Sequence, residues 1–178
     1  YLAALRHPDI SCISVKISTI YSQITSIAHR HCVAVLSDRL ESLYRAAVEN
    51  RSRRPDGSTR TKFLYLDMEE YRDMRITAEV LMRTLDRPGM EQVRAGIALQ
   101  AYLPDSYPTL QQLIDWARER TRRGGLPLTV RVVKGANLEM ERVEASISGF
   151  PQAPYATKVE TDANYKRMLR LLLDAEVA

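Results

Sequence analysis

Four short apolar runs punctuate this chain, and each is followed by a longer segment with helical spacing. The first run is Ile13–Ile17 (ISVKI), alternating and rich in β-branched residues. After a long connection, a helix is expected from about Ser37, because Leu40, Leu43, Tyr44, Ala47 and Val48 form one apolar stripe. Arg54-Pro55-Asp56-Gly57 reads as the turn closing this unit. The second run is Phe63–Asp67 (FLYLD); the helix after it carries Ile76, Val80, Leu81 and Leu85 and stops at Asp86-Arg87-Pro88-Gly89. The third is Ile97–Tyr102 (IALQAY), with a helix starting near Pro108-Thr109, striped by Leu110, Leu113, Ile114 and Ala117 and ending at Gly124-Gly125. The fourth is Thr129–Val133 (TVRVV); after a longer connection Thr161-Asp162 is expected to cap a helix bearing Tyr165, Met168, Leu169 and Leu172.

Strand and helix alternating in units of about 30 residues or more is the pattern of parallel βαβ construction. Such strands close either as an open doubly wound sheet or as a (β/α)8 barrel. No Gly-x-Gly-x-x-Gly follows the first strand, which weighs against a dinucleotide-binding sheet. A whole barrel takes about 250 residues and eight strands. Four strands in 178 residues therefore predict an α/β fold, about half of a (β/α)8 TIM-type barrel with parallel strands, as one partial barrel domain over residues 1–178.

Composition narrows the function classes. No stretch approaches the ~20 apolar residues of a membrane span, and no signal segment follows Tyr1, so the chain reads as the interior of a longer one. Cys12 and Cys32 are too few for a disulfide scaffold, which implies a reducing cytoplasmic setting. His29, His31 and Cys32, with His7 and Cys12, make a poor set for a structural metal, and no metal is expected. The charge of +4 owes much to Arg51, Arg53 and Arg54; without interleaved aromatics these read as a solvated loop, not a nucleic-acid surface. Trp116 reads as a core or interface aromatic, and the six methionines as gap-fillers.

The informative residues are polar ones in or just past the C-terminal halves of the strands: Lys16, Asp67, Gln100, Arg131 and Lys134. In parallel α/β proteins ligands bind at that edge. Buried without partners, such groups cost several kcal/mol, so they must pair with each other or meet a ligand. A structural Lys16–Asp67 salt bridge is the bland alternative. The excess of cations over Asp67 along the row suggests an anionic ligand, and Gly135-Ala136 would let backbone amides approach a phosphate.

Arg131-Val132-Val133-Lys134-Gly135-Ala136 resembles the Arg-Leu-Val-Lys-Gly-Ala strand of the proline dehydrogenase family. Ser14-Val15-Lys16-Ile17-Ser18, Leu66-Asp67-Met68-Glu69-Glu70, Gln100-Ala101-Tyr102, Tyr155-Ala156-Thr157-Lys158 and Thr161-Asp162-Ala163-Asn164-Tyr165 resemble its other motifs, in order. The resemblance runs from about Ser11 to the end and points to the barrel of a bifunctional proline utilization A member. It implies a distorted barrel binding FAD and oxidising L-proline to 1-pyrroline-5-carboxylate. By the same resemblance Arg131 lies near the flavin N5, Gln100 bonds the isoalloxazine edge, and Val133, Lys134, Gly135 and Ala136 follow the ribityl and phosphate portion. Lys16 and Asp67 face the proline pocket, with Lys16 helping to hold the substrate carboxylate. A quinone or other electron acceptor, peripheral membrane contact and a homo-oligomer are implied in the same way.

Asn137-Leu138 depart from the aromatic residues the family often has there, where a side chain can stack on adenine. The family's later strands, one bearing a Tyr, and its final helix with paired arginines have no counterpart in these residues. The chain is thus expected to hold one wall of the site and to be inactive alone. Two other readings of the residues stay open. One is a Schiff-base aldolase or lyase using Lys16 or Lys134. The other is a non-catalytic fragment that self-associates through its sheet edges.

Overall fold

The apolar runs pair with one another as parallel strands in the order in which they occur. In chain order the elements are α1 (Leu2–Arg6), β1 (Cys12–Lys16), the one-turn α2 (Ile17–Ile20) and the long α3 (His29–Glu49). A hairpin of β2 (Ser52–Arg53) and β3 (Thr59–Arg60) leads to β4 (Phe63–Asp67), a 3-10 turn at Tyr71–Asp73 and α4 (Met74–Leu85). Then come β5 (Arg94–Gln100), α5 (Ser106–Arg122), β6 (Thr129–Val133), α6 (Leu138–Ser148) and α7 (Lys158–Asp174). This is a computed structural model, and it describes residues 1–175.

The main sheet has the order β1-β4-β5-β6, every pairing parallel. A doubly wound sheet reverses direction at a switch point. Here the order is sequential throughout, which is the wall of a barrel and removes the doubly wound alternative.

Register divides the strand residues between two faces. Val15 pairs with Leu66, and Leu64 with Ala95. With Ile97 and Leu99 they are buried in one core together with Leu36, Leu40 and Tyr44 of α3, Val80 and Leu81 of α4, and Leu110 and Leu113 of α5. The opposite face carries Ser14, Lys16, Tyr65, Asp67, Gly96, Ala98, Gln100, Thr129, Arg131 and Val133, joined across the sheet by the same register. This second face positions the candidate site.

Several boundaries differ from the sequence expectations. Helix α3 begins at His29, two turns before Ser37. Cys32, Val33 and Leu36 extend its buried stripe, and Ala28 at the N-cap offers no side-chain cap to signal the start. The first strand is Cys12–Lys16, and the third is Arg94–Gln100 in place of Ile97–Tyr102. Ala101 and Tyr102 still donate to Val133 O (2.7 Å) and Lys134 O (2.8 Å), so the pairing outlasts the strand. Helix α5 starts at Ser106 instead of Pro108-Thr109. Helix α7 is capped by Thr157, not Thr161-Asp162: Thr157 and Glu160 form a reciprocal capping box. The longer connection after the fourth strand contains α6, which ends at Gly149 in the left-handed region (φ 68°). The turn at Arg54–Gly57 is the tip of the β2–β3 hairpin, where Arg51 donates to Thr59 Oγ1 (3.0 Å).

Single residues find ordinary places. Arg120 is buried and donates to the carbonyls of Leu85 (2.7 Å), Met90 (2.7 Å), Leu126 (3.1 Å) and Glu91 (3.2 Å), fastening α5 to the turn before β5. Trp116 packs on the core while its Nε1 donates to Asp86 (3.1 Å). Met74, Met90 and Met168 are buried, but Met140 is exposed on α6 and fills no gap. His29 pairs with Glu79 (2.8 Å) and the Cys32 thiol turns toward the carbonyls of Gln23 and Thr25. Among the described residues no helix is long and apolar enough to cross a membrane, and no three His, Cys, Asp or Glu side chains gather as a metal site would require.

Candidate active site at the strand ends

The non-helical face of the sheet brings together Lys16, Asp67, Gln100, Arg131 and Val133, one or two from each strand. Parallel pairing places Lys16 opposite Asp67 and Gln100 opposite Val133. Lys134, Gly135 and Ala136 continue from the end of β6 into the turn before α6. All the residues singled out in the sequence therefore lie at one sheet edge.

Their pairing differs from the simple alternative. Lys16 and Asp67 are in register but do not bond to each other. Arg131 Nη2 reaches Asp67 Oδ1 at 2.6 Å, and Ser14 donates to Asp67 Oδ2 at 3.3 Å. Lys16 Nζ lies 3.3 Å from Glu69, which also accepts from Ser18. Lys134 and Lys158 share Asp162, each at 2.5 Å, and their two ammonium groups pull its carboxyl down to about 2. Asp162 can do this because it sits in the second turn of α7 and not at the cap.

These pairs correct the charge argument made from the strands alone. Glu69, from the loop after β4, and Asp162, from α7, bring the row close to electrical balance. An anionic ligand here must compete with carboxylates already in place.

Gln100 is the exception to this mutual satisfaction. It is 3% exposed, and its Nε2 donates to Glu69 O at 2.8 Å. Its Oε1 is buried with no hydrogen-bond partner among the described residues. A buried amide oxygen left open costs free energy comparable to a lost hydrogen bond, so this acceptor is the unmet group of the row.

The arginine rests on an aromatic ring. Tyr65, two residues before Asp67 on the same face, places its ring centroid 4.8 Å from the Arg131 guanidinium carbon. Burial pushes the Tyr65 phenol pKa up, and the arginine charge opposes that rise. Gly96 makes room: a Cβ there would meet the Tyr65 ring at 2.6 Å and the Phe63 ring at 2.7 Å. Gly135 has φ 125° and faces Tyr102, whose ring a Cβ would strike at 2.0 Å. Its glycine is thus demanded by a buried tyrosine, whatever its amide also meets.

The sequence reading missed four supporting groups. Glu69 stands within the Leu66–Glu70 motif, which by itself gives it no role. By sequence Asp162 reads as part of a cap, Tyr65 only as one residue of the Phe63–Asp67 run, and Asn137 as a departure from the family pattern. The Asn137 amide donates to Glu69 O at 3.1 Å, so Gln100 and Asn137 meet at one carbonyl.

A sequence profile of proline dehydrogenases matches residues 3–178. The chain belongs to the proline dehydrogenase family. Among curated relatives, the bifunctional protein PutA of Escherichia coli (strain K12) is 28% identical over 163 residues, covering 90% of this chain and 11% of the relative. Hydroxyproline dehydrogenase of Bos taurus is 36% identical over 74 residues, covering 42% of this chain and 15% of that protein. Proline utilization A from Corynebacterium freiburgense superposes with a TM-score of 0.88 at 40% identity, covering 97% of this chain and 17% of the other. Proline utilization A from Bdellovibrio bacteriovorus, inactivated by N-propargylglycine, gives 0.80 at 35%, covering 91% and 16%. The chain spans less than a fifth of the length of these proline dehydrogenase relatives and carries the barrel wall found in the solved ones.

Proposed function

We propose that this face is one wall of an FAD site at which L-proline is oxidised to 1-pyrroline-5-carboxylate. The observation that carries the proposal is the open Gln100 Oε1 beside the Asp67–Arg131 pair, on a chain of the proline dehydrogenase family. A buried acceptor with no donor fits the edge of an isoalloxazine, which presents an N–H there.

When bound, FAD supplies the two-electron acceptor for a hydride from the carbon beside the proline nitrogen. The chain's residues do the rest. Gln100 would fix one edge of the ring system through Oε1. Arg131 would stand near the flavin N5 as a cation that stabilises negative charge as it develops. Asp67 holds Arg131 in place from β4, with Ser14 behind it. Lys16 would attract the substrate carboxylate, oriented meanwhile by Glu69. Val133, Lys134, Gly135 and Ala136 would follow the ribityl and phosphate portion, with Lys134 exchanging Asp162 for a phosphate oxygen. A quinone or similar acceptor would reoxidise the flavin.

The Schiff-base alternative finds no support at Lys134. A nucleophilic lysine requires a depressed pKa, and Asp162 pushes that of Lys134 up. Lys16 forms an ion pair with Glu69 at 3.3 Å.

The test is Arg131→Ala in the full-length protein. Flavin reduction by proline in stopped flow should fall by about 100-fold or more, the scale of losing one preorganised charge-stabilising donor. The thermal midpoint should move by only a degree or two, because Arg131 is half exposed. Equal reduction rates for variant and parent would remove Arg131 from the chemistry.

A further inference from the structure

We infer that Tyr65 is a positioning residue for Arg131, its ring forming the platform that fixes the guanidinium over the sheet face; this rests on the flavin-site reading above.

Four observations carry it. The Arg131 side chain is 52% exposed, and its one ion pair among the described residues, to Asp67, uses a single Nη2. One exposed contact leaves a long side chain free to swing about it. The ring of Tyr65 supplies the second constraint, 4.8 Å from the guanidinium carbon, a distance at which face and cation attract. Tyr65 itself cannot move far: it is 8% exposed, tilted against Phe63 with ring centroids 5.8 Å apart, and seated over Gly96, where any Cβ would collide with it. Finally, Ala98, the register partner of Arg131, is too small to crowd or support the guanidinium, and the contacts to it among the described residues come from Asp67 and Tyr65 on β4.

The arrangement crosses the sheet. Arg131 leaves β6, passes over β5 at Ala98, and is held on β4 by Asp67 at the strand end and by Tyr65 two residues earlier. Asp67 sets where the charge sits; the Tyr65 ring limits how far it can swing.

The experiment compares Tyr65→Leu, Tyr65→Phe and Arg131→Met in the FAD-loaded full-length protein. Tyr65→Leu should slow flavin reduction by proline about tenfold, the scale of one partly desolvated cation–π contact, with little change in the proline KM. It should also shift the flavin midpoint potential in the same direction as Arg131→Met, a change that loosened packing alone would not produce. Tyr65→Phe, which keeps the ring face, should rescue most of both effects. A Tyr65→Leu protein with parental rate and potential overturns the proposal, as does a Tyr65→Phe protein as impaired as Tyr65→Leu. If Arg131→Met itself leaves rate and potential unchanged, the flavin-site reading fails instead. Should Tyr65→Leu not fold, an ultraviolet titration of the phenol, taken as the difference from Tyr65→Phe, decides in flavin-free protein. Arg131→Met should raise the Tyr65 pKa, and an unchanged value refutes the stacking.

Discussion

Gly135→Ala should be among the most damaging single-methyl additions in this chain. The new Cβ would lie 2.0, 2.3 and 2.6 Å from three atoms of the Tyr102 ring, all below any real carbon–carbon contact. Tyr102 has little room to yield. It is 4% exposed, its amide donates to Lys134 O at 2.8 Å, and its carbonyl accepts from Tyr155 N at 2.8 Å. Forcing extra volume into such a site costs about 1–3 kcal/mol. Holding alanine at φ 125° adds about 1–3 kcal/mol of backbone strain. Together they come to about 4 kcal/mol. With a urea dependence of about 2 kcal/mol per molar for a chain of this size, the unfolding midpoint should fall by about 2 M. Urea titration followed by far-ultraviolet circular dichroism measures this directly. Removing the ring separates the parts: in a Tyr102→Ala background, Gly135→Ala should cost about 1–3 kcal/mol less than it does alone. A shift below about 0.3 M for the single variant would refute the steric account. If FAD affinity fell meanwhile, the glycine would be serving the ligand and not the tyrosine.

Two further predictions concern charge. Asp73 is 8% exposed, and burial raises its carboxyl from 3.8 to about 6. The native state therefore binds a proton that the unfolded chain releases, and stability should decline as pH rises from about 4 to about 6. Asp73→Asn should recover up to about 3 kcal/mol at pH 7.5 and almost nothing at pH 3.5; equal effects at both pH values would show that the carboxyl is not strained by burial. Asp162→Asn frees Lys134 and Lys158 of their shared carboxylate. FAD should then bind about three- to tenfold tighter at low salt, the gain shrinking as ionic strength rises. An unchanged Kd would take Lys134 off the path of the phosphates.

Much of the site was legible because β structure is periodic and local. Alternation with period two puts Ser14 and Lys16, or Tyr65 and Asp67, on one face without knowledge of any partner strand. Polar residues at strand ends then announce the functional edge, and the motif from Arg131 to Ala136 names the family. Helix starts were less visible where the sequence offers no cap, as at Ala28 before α3. The cap of α7 was misplaced because two Thr-containing candidates stand four residues apart, and the decisive signal is the Thr157–Glu160 spacing.

The sequence by itself determined the parallel βα order, the family and the set of polar residues on the strand-end edge, while the sequential strand order of the structure removed the doubly wound alternative. The strand order and the polar set follow from spacing along the chain, and the family from the likeness of the motifs, Arg131–Ala136 above all. Tertiary structure alone decided which charge meets which. Asp67 stands in register with Lys16 yet binds Arg131 from two strands away, while Lys16 turns to Glu69 and Lys134 to Asp162 on α7. Long side chains choose partners by distance and direction across a twisted sheet, and no linear spacing encodes that geometry. The same holds for the ring of Tyr65 beneath Arg131, possible only because Gly96 on the neighbouring strand leaves its space empty.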